Sequence, residues 1–335
     1  MSSTFENPLV VGCGSWGTAL ALLLTNKCPQ VHLLGRKQST VDQINSSKEN
    51  KHYLPGINLP SNLVTTTAPD IANNADLILF VIPTSATRTA AENLAKQSIS
   101  KTTVLLSCSK GIERETGKRM SEIISDSFPE NPIAVISGPN HAEEIARGLP
   151  AAATIGCSDI AIGEALQHTV SNERFRCYTN EDVAGIELGG ALKNIFAIAA
   201  GVAAGLKLGD NAISALVTRA LAEMIRLGTQ LGGNPDTFPG LSGLGDLMTT
   251  CFSPHSRNQR IGVALGKGKR LQDAVEQLGM VAEGVPNTRS IYEAARRVDA
   301  RTPIIDVVYA MLYEEVPPAE GLNRLFRQSP RNEVE

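Results

Sequence analysis

Apolar residues in the first half of the chain fall into short unbroken runs, separated by stretches with helical spacing. The runs predict strands at Leu9–Gly12, Val31–Leu34, Leu77–Ile82, Thr103–Ser107, Ile133–Ser137, Ala152–Ile155 and Phe175–Thr179. Runs without in–out alternation suit a parallel sheet covered on both faces. Helices are expected near Thr18–Thr25, Thr40–Asn45, Ala86–Ala95, Lys118–Ser125, His141–Arg147 and Ile160–Val170. Strand alternating with helix is the pattern of an α/β doubly wound, Rossmann-like sheet. Lys51–Ser61, which holds two prolines, reads as a connecting loop.

The strand signals stop after about Thr179. Asp182–Leu206 is long, apolar and rich in Ala and Gly. In Asn211–Leu231, residues Ile213, Leu216, Ala220, Leu221, Met224 and Leu227 recur at helical spacing, with Asp210 as an N-cap and Gly232-Gly233 as a stop. Further helices are expected at Arg257–Leu265, Leu271–Gln277, Asn287–Arg297, Ile304–Tyr313 and Pro318–Phe326, with fraying from Ser329. The expected organisation is a dinucleotide-type domain over 1–180 and an all-helical domain over 181–335.

Composition narrows the classes. At 335 residues both domains can hold a core. The formal charge of −3 comes with no basic run, which argues against nucleic acid as a partner. The longest apolar runs, Ala19–Leu24 and Ile195–Leu206, fall short of a bilayer span, so no membrane span is expected. Gly201 and Gly205 form a G-x-x-x-G pair, read as close helix packing. The six cysteines show no metal or C-x-x-C spacing and fit a reducing cytoplasm.

The first run enters Gly12-Cys13-Gly14-Ser15-Trp16-Gly17 and then an Ala/Leu-rich helix. This is G-x-G-x-x-G in its strand–turn–helix context. Gly12 serves the tight turn, Gly14 the approach of a pyrophosphate, and Gly17 the packing of helix on sheet. The next strand ends in Arg36-Lys37 where an NAD-specific site would carry an acid. A guanidinium there can clamp a 2′-phosphate, so NADP(H) is expected to be preferred and NAD(H) also accepted. Asp42 lies too far along the following helix to reach the ribose.

Candidate chemistry sits after the strands. Lys110 follows an apolar strand directly and can reach a phosphate or polarise an oxygen; a solvated loop lysine is the alternative. Gly138-Pro139 gives a rigid turn, and Asn140 offers a donor and an acceptor or a plain N-cap. In Leu188–Ala197 the helix is apolar on every face except at Lys193 and Asn194. A buried lysine is costly unless paired, and burial lowers its pKa toward proton-transfer values; snorkelling from a helix edge is the alternative. Asp246, after Gly243-Leu244-Gly245, either orients Lys193, binds a hydroxyl, or caps a helix. Ser256-Arg257-Asn258 opens another helix with groups that suit a phosphate. Lys207 has weaker surroundings than Lys193 and is set aside, and Arg260 and Arg270 read as surface charges.

With Ser137-Gly138-Pro139, Glu187–Asn194, Gly243–Leu247, Ser256–Asn258 and Val281–Gly284, the chain resembles the bacterial-type NAD(P)-dependent sn-glycerol-3-phosphate dehydrogenases over roughly Pro8–Arg327. The resemblance implies interconversion of dihydroxyacetone phosphate and sn-glycerol 3-phosphate for phospholipid synthesis, in a cytoplasmic homodimer. It places Lys193 at the catalytic position. Ser15, Trp16, Arg36, Lys110, Ala142, Arg257, Val281 and Glu283 fall at cofactor positions. Lys110, Gly138, Asn140, Asp246, Ser256, Arg257 and Asn258 fall at substrate positions. Two departures stand out: Asn140 where many members carry Ser or Thr, and Cys13 where Ala is common. Rival readings are a β-hydroxyacid or 6-phosphogluconate type dehydrogenase and a non-catalytic NADP(H)-binding sensor.

Overall fold

A computed structural model of the chain describes residues 5–326 and Asn332. The expected fraying from Ser329 falls, apart from Asn332, outside the described residues. Among the described residues there are ten strands: β1 (Pro8–Val11), β2 (Val31–Leu34), β3 (Glu49–Asn50), β4 (Leu54–Asn58), β5 (Leu63–Thr66), β6 (Leu77–Phe80), β7 (Val104–Ser107), β8 (Ile133–Ser137), β9 (Ala151–Gly156) and β10 (Phe175–Asn180). Eight form one sheet in the order β10-β9-β8-β7-β6-β1-β2-β5, while β3 and β4 pair separately. All neighbours in the large sheet are parallel except β8 and β9.

The unbroken apolar runs have a direct cause. Val10, Leu79, Leu106 and Ala134 bury against one layer, and Leu9, Val11, Ile78, Phe80 and Leu105 against the other. Both faces are covered along β1, β6 and β7, so those strands are largely apolar on both sides. Three features depart from the sequence reading. The Lys51–Ser61 loop contains β4. Leu63–Thr66 pairs with β2 as a parallel edge strand that four residues of mixed polarity did not announce. The sheet is mixed rather than wholly parallel because β9 runs against β8.

Because β1, β6, β7 and β8 run parallel, their carboxyl ends share one edge, with Gly12, Ile82, Lys110 and Gly138 just beyond it. The order reverses at β1, between β2 and β6, which is where open α/β sheets take ligands.

Beyond β10 every described element is helical. The helix Val183–Gly205 is the axis, with nearly all of its residues buried. By length and composition it is apolar enough to cross a membrane, longer than the apolar run read from sequence, and 89% of its apolar window is buried inside the protein. It packs on the helix Arg257–Gly266 with backbones almost touching. A Cβ on Gly201 would lie 2.9 Å from Gly262 Cα, and one on Gly205 would lie 2.9 Å from Gly266 Cα. Two small-residue rows thus mesh, and the G-x-x-x-G pair does mark close helix packing. Gly209, at φ 85°, stands at the N-cap of the helix Asp210–Gln230, where Asp210 was expected.

Ala in place of Gly inside a helix ordinarily stabilises by about 1 kcal/mol. Gly201→Ala is expected to reverse that sign, because its Cβ would sit 2.2 Å from Gln259 O. Overpacking of this kind costs about 1–3 kcal/mol. The urea midpoint should fall; a rise would show that the two backbones do not meet.

Candidate active site

The two lobes meet where the central helix passes the carboxyl edge of the sheet. Gly189 and Gly190 allow it: a Cβ on Gly190 would lie 2.5 Å from Ser137 Oγ, and one on Gly189 would lie 2.8 Å from Ser242 O. One turn later Lys193 enters the junction, only 7% exposed. Its Nζ donates to Asp246 Oδ1 at 2.9 Å and to Thr250 Oγ1 at 2.6 Å. Lys110 Nζ donates to the other carboxylate oxygen, Asp246 Oδ2, at 2.6 Å and to Gly138 O at 2.9 Å. One carboxylate, itself 2% exposed, therefore bridges two ammonium groups, one from each lobe.

Local geometry aims Asp246 inward. Leu241–Gly245 forms a π-helical turn, tightened at Gly243, where a Cβ would meet Phe238 O at 2.0 Å. Asp246 then opens the helix Asp246–Phe252 without capping it, and its side chain turns to the lysines. Thr250, one helical turn on, shares that face, and its hydroxyl donates to Asp246 O at 2.6 Å. Thr250 was not identified from sequence, although its four-residue spacing from Asp246 was available to point to it.

Electrostatics follow from this burial. Desolvation drives Lys193 down to about 8, against the upward pull of Asp246 and with a further push down from Lys110. Burial raises Asp246, but Lys110 and Lys193 outweigh it and hold the carboxyl below its usual range. The amine is thus poised near neutrality while its partner stays ionised. His141, half-buried beside them, is lowered by desolvation and by Lys193.

The remaining substrate candidates surround this centre. Asn258 is buried with both ends of its amide held: Nδ2 donates to Asn194 Oδ1 at 2.8 Å, and Oδ1 accepts from Gly284 N at 3.0 Å. Ser256 caps its helix by accepting from Gln259 N at 3.2 Å, which leaves its own proton free. Arg257 is exposed and donates to Val281 O at 2.8 Å, joining two candidate cofactor positions. Asn140 donates to Ala152 O at 3.0 Å, while its Oδ1, Ser137 Oγ and His141 Nε2 are buried without a partner. These groups lie together at the end of β8 and on the turn that follows it, at the carboxyl edge of the sheet.

The glycine turn fits a dinucleotide. Gly12 has φ 118°, and a Cβ there would meet Val81 O at 2.3 Å. A Cβ on Gly17 would strike Gly12 O at 1.9 Å, whereas one on Gly14 meets nothing within 4 Å. Gly12 and Gly17 are required by the fold, and Gly14 opens the space in which a pyrophosphate would lie at the helix N-terminus. Ser15 Oγ donates to Tyr53 O at 2.6 Å, and Trp16 packs by Ala142. Arg36 and Lys37 stand exposed past β2. Glu283 reaches the opposite lobe, accepting from Thr84 N and Thr84 Oγ1 at 3.3 and 2.8 Å. Cys13 lies in the turn with burial pushing its thiol up to about 12, so the departure adds bulk without a thiolate.

A dinucleotide-type sheet, a helical lobe and a paired lysine at their junction define a two-lobed nicotinamide-dependent oxidoreductase. Family descriptions for the N-terminus and C-terminus of NAD-dependent glycerol-3-phosphate dehydrogenase match residues 9–162 and 182–323. Glycerol-3-phosphate dehydrogenase [NAD(P)+] of Bacillus cytotoxicus is 44% identical, covering 97% of this chain and 96% of that one. The Listeria monocytogenes protein of that name is 43% identical, over 99% of each. The crystal structure of glycerol-3-phosphate dehydrogenase from Coxiella burnetii superposes with a TM-score of 0.93 at 35% identity, over 96% of this chain and 99% of that one. The chain belongs to the NAD-dependent glycerol-3-phosphate dehydrogenase family.

Removing one partner of a buried ion pair costs about 3–5 kcal/mol. Asp246→Ala removes the partner of two, so a loss of at least that order is expected in chemical denaturation. A loss below about 1 kcal/mol, the worth of an exposed pair, would show that the carboxylate is not enclosed.

Proposed function

We propose that the protein reduces dihydroxyacetone phosphate to sn-glycerol 3-phosphate, and catalyses the reverse reaction, using NADP(H) in preference to NAD(H). The observation that carries the reading is the Lys193 amine, buried and held by Asp246 Oδ1 and Thr250 Oγ1. When bound, the reduced nicotinamide supplies hydride to C2 of the ketone. Lys193, in its charged form, gives a proton to the oxygen on which charge develops, and its neutral form takes that proton back in the reverse direction. Asp246 keeps the amine oriented and part-protonated near neutral pH. Lys110 brings a second positive charge toward the developing oxyanion. Ser256, Arg257 and Asn258 supply hydroxyl, guanidinium and amide groups for the substrate phosphate, whose binding energy serves orientation. Gly138 and Asn140 line the substrate from the sheet side. Gly12, Gly14, Ser15, Trp16, Gly17, Arg36, Ala142, Val281 and Glu283 form the cofactor side. Six buried, unpaired thiols support a cytoplasmic setting, and glycerol 3-phosphate made there feeds phospholipid synthesis. Separate cores support domains at 1–180 and 181–335, and a homodimer completes the reading.

The test is the initial rate of dihydroxyacetone phosphate reduction. Lys193→Ala should lose on the order of 10²–10⁴-fold in kcat. In the native enzyme reduction should fall as pH rises through about 8, where the amine loses its proton, while oxidation rises over the same range. An unchanged rate in the variant would take Lys193 out of the role.

Cofactor choice is tested at Arg36. Loss of a guanidinium–phosphate contact is worth about 1.5–3 kcal/mol. Arg36→Ala should therefore raise the KM for NADPH by about one to two orders of magnitude and leave that for NADH nearly unchanged. Equal effects on both would show that Arg36 does not read the 2′-phosphate.

A further inference from the structure

Asn287 stands in the helix Gly284–Arg297, 2% exposed, and its amide bonds to backbone groups rather than to either lysine. Its amide nonetheless bridges the two segments that carry them. Nδ2 donates to Ala191 O at 2.8 Å, two residues before Lys193 on the central helix. Oδ1 accepts from Ile112 N at 3.3 Å, two residues after Lys110 on the loop beyond β7. That loop is pressed into place: a Cβ on Gly111 would lie 2.6 Å from Thr84 Cγ2 and 3.2 Å from Asn287 Oδ1. Thr84 is in turn gripped by Glu283, at the start of the Asn287 helix.

We propose that Asn287 is a positioning residue that sets the spacing of Lys110 and Lys193 by tying the loop of one to the helix of the other. An amide suits this place because it donates at one end and accepts at the other, and both backbone groups are buried. Aliphatic replacements would leave Ile112 N–H and Ala191 C=O without that bridge and free the loop to move. The charged and titratable groups facing Lys193 are Asp246, Lys110, Cys251 and His141. Of these only Lys110 sits on the loop that Asn287 holds. Lys110 pushes the Lys193 amine down and competes for Asp246, so its withdrawal lets the amine rise.

The kinetic part of the test rests on the reduction proposed above; the spectroscopic part does not. Lysine Cε resonances would be followed against pH by 13C NMR, with Lys193 assigned by its loss in Lys193→Arg. Asn287→Ala, and Asn287→Gln as a better-tolerated second variant, should move the Lys193 midpoint upward from about 8. The kcat for dihydroxyacetone phosphate should fall on the order of 10- to 100-fold, as small misplacements of reacting groups do. Ile291→Val, buried in the same helix, should leave the midpoint where it is. A midpoint unmoved in both Asn287 variants, or moved equally by Ile291→Val, overturns the proposal. A midpoint that rises in a protein without activity on this ketone upholds Asn287 and sinks the reaction instead.

Discussion

The junction between the lobes depends on one carboxylate placed between two lysines. Asp246 offers Oδ1 to Lys193 and Oδ2 to Lys110; Asp246 and Lys193 are withdrawn from bulk water and Lys110 is partly so. Without the carboxylate, two ammonium groups would share a poorly solvated junction, and one would have to shed its proton. With it, Lys193 is held at about 8 against the downward pull of burial, and the two lysines keep the Asp246 carboxyl below its usual range. The arrangement also couples the lobes, because Lys110 belongs to the sheet edge and Asp246 to the helical half. The contacts that set the charge state of the Lys193 amine are the same ones that join the two lobes.

Around that pair the structure uses glycine to bring backbones together. Gly189 and Gly190 let the central helix slide past the ends of β8 and the Ser242 turn. Gly201 and Gly205 mesh with Gly262 and Gly266, so the helix that opens with Ser256, Arg257 and Asn258 runs tightly beside the helix bearing Lys193. Buried polar side chains then fix the register. Glu187 accepts from Ser121 N and Ser121 Oγ in the sheet lobe, Glu283 accepts from Thr84, and Asn287 spans both lobes. Each is an inter-lobe contact, and the loss of Glu187 or Asn287 would strand a buried partner away from water.

Much was legible in the chain because the relevant physics is local. Unbroken apolar strands, the G-x-G-x-x-G turn and the lysine in an otherwise apolar helix follow from spacing within a few residues. The resemblance to the glycerol-3-phosphate dehydrogenases and the comparisons agree on the family. Arg36-Lys37, at the end of a strand with no neighbouring acid, was equally visible.

What sequence alone could not decide were pairings between distant segments. Lys110 and Asp246 are 136 residues apart, and Asn287 and Ile112 are 175 apart. No local pattern links them, since loop closure brings them together only when the sheet edge and the helical lobe pack. The short edge strand Leu63–Thr66 and the reversed β9 depend likewise on which neighbour offers hydrogen bonds. The sequence by itself determined the glycine turn, most of the strands and helices, and the lysine in an apolar helix that makes Lys193 the candidate proton donor. Tertiary structure decided how Asp246 divides its two oxygens, that Thr250 joins the lysine, and where the amine titrates, because desolvation and charge pairing exist only once the lobes have met.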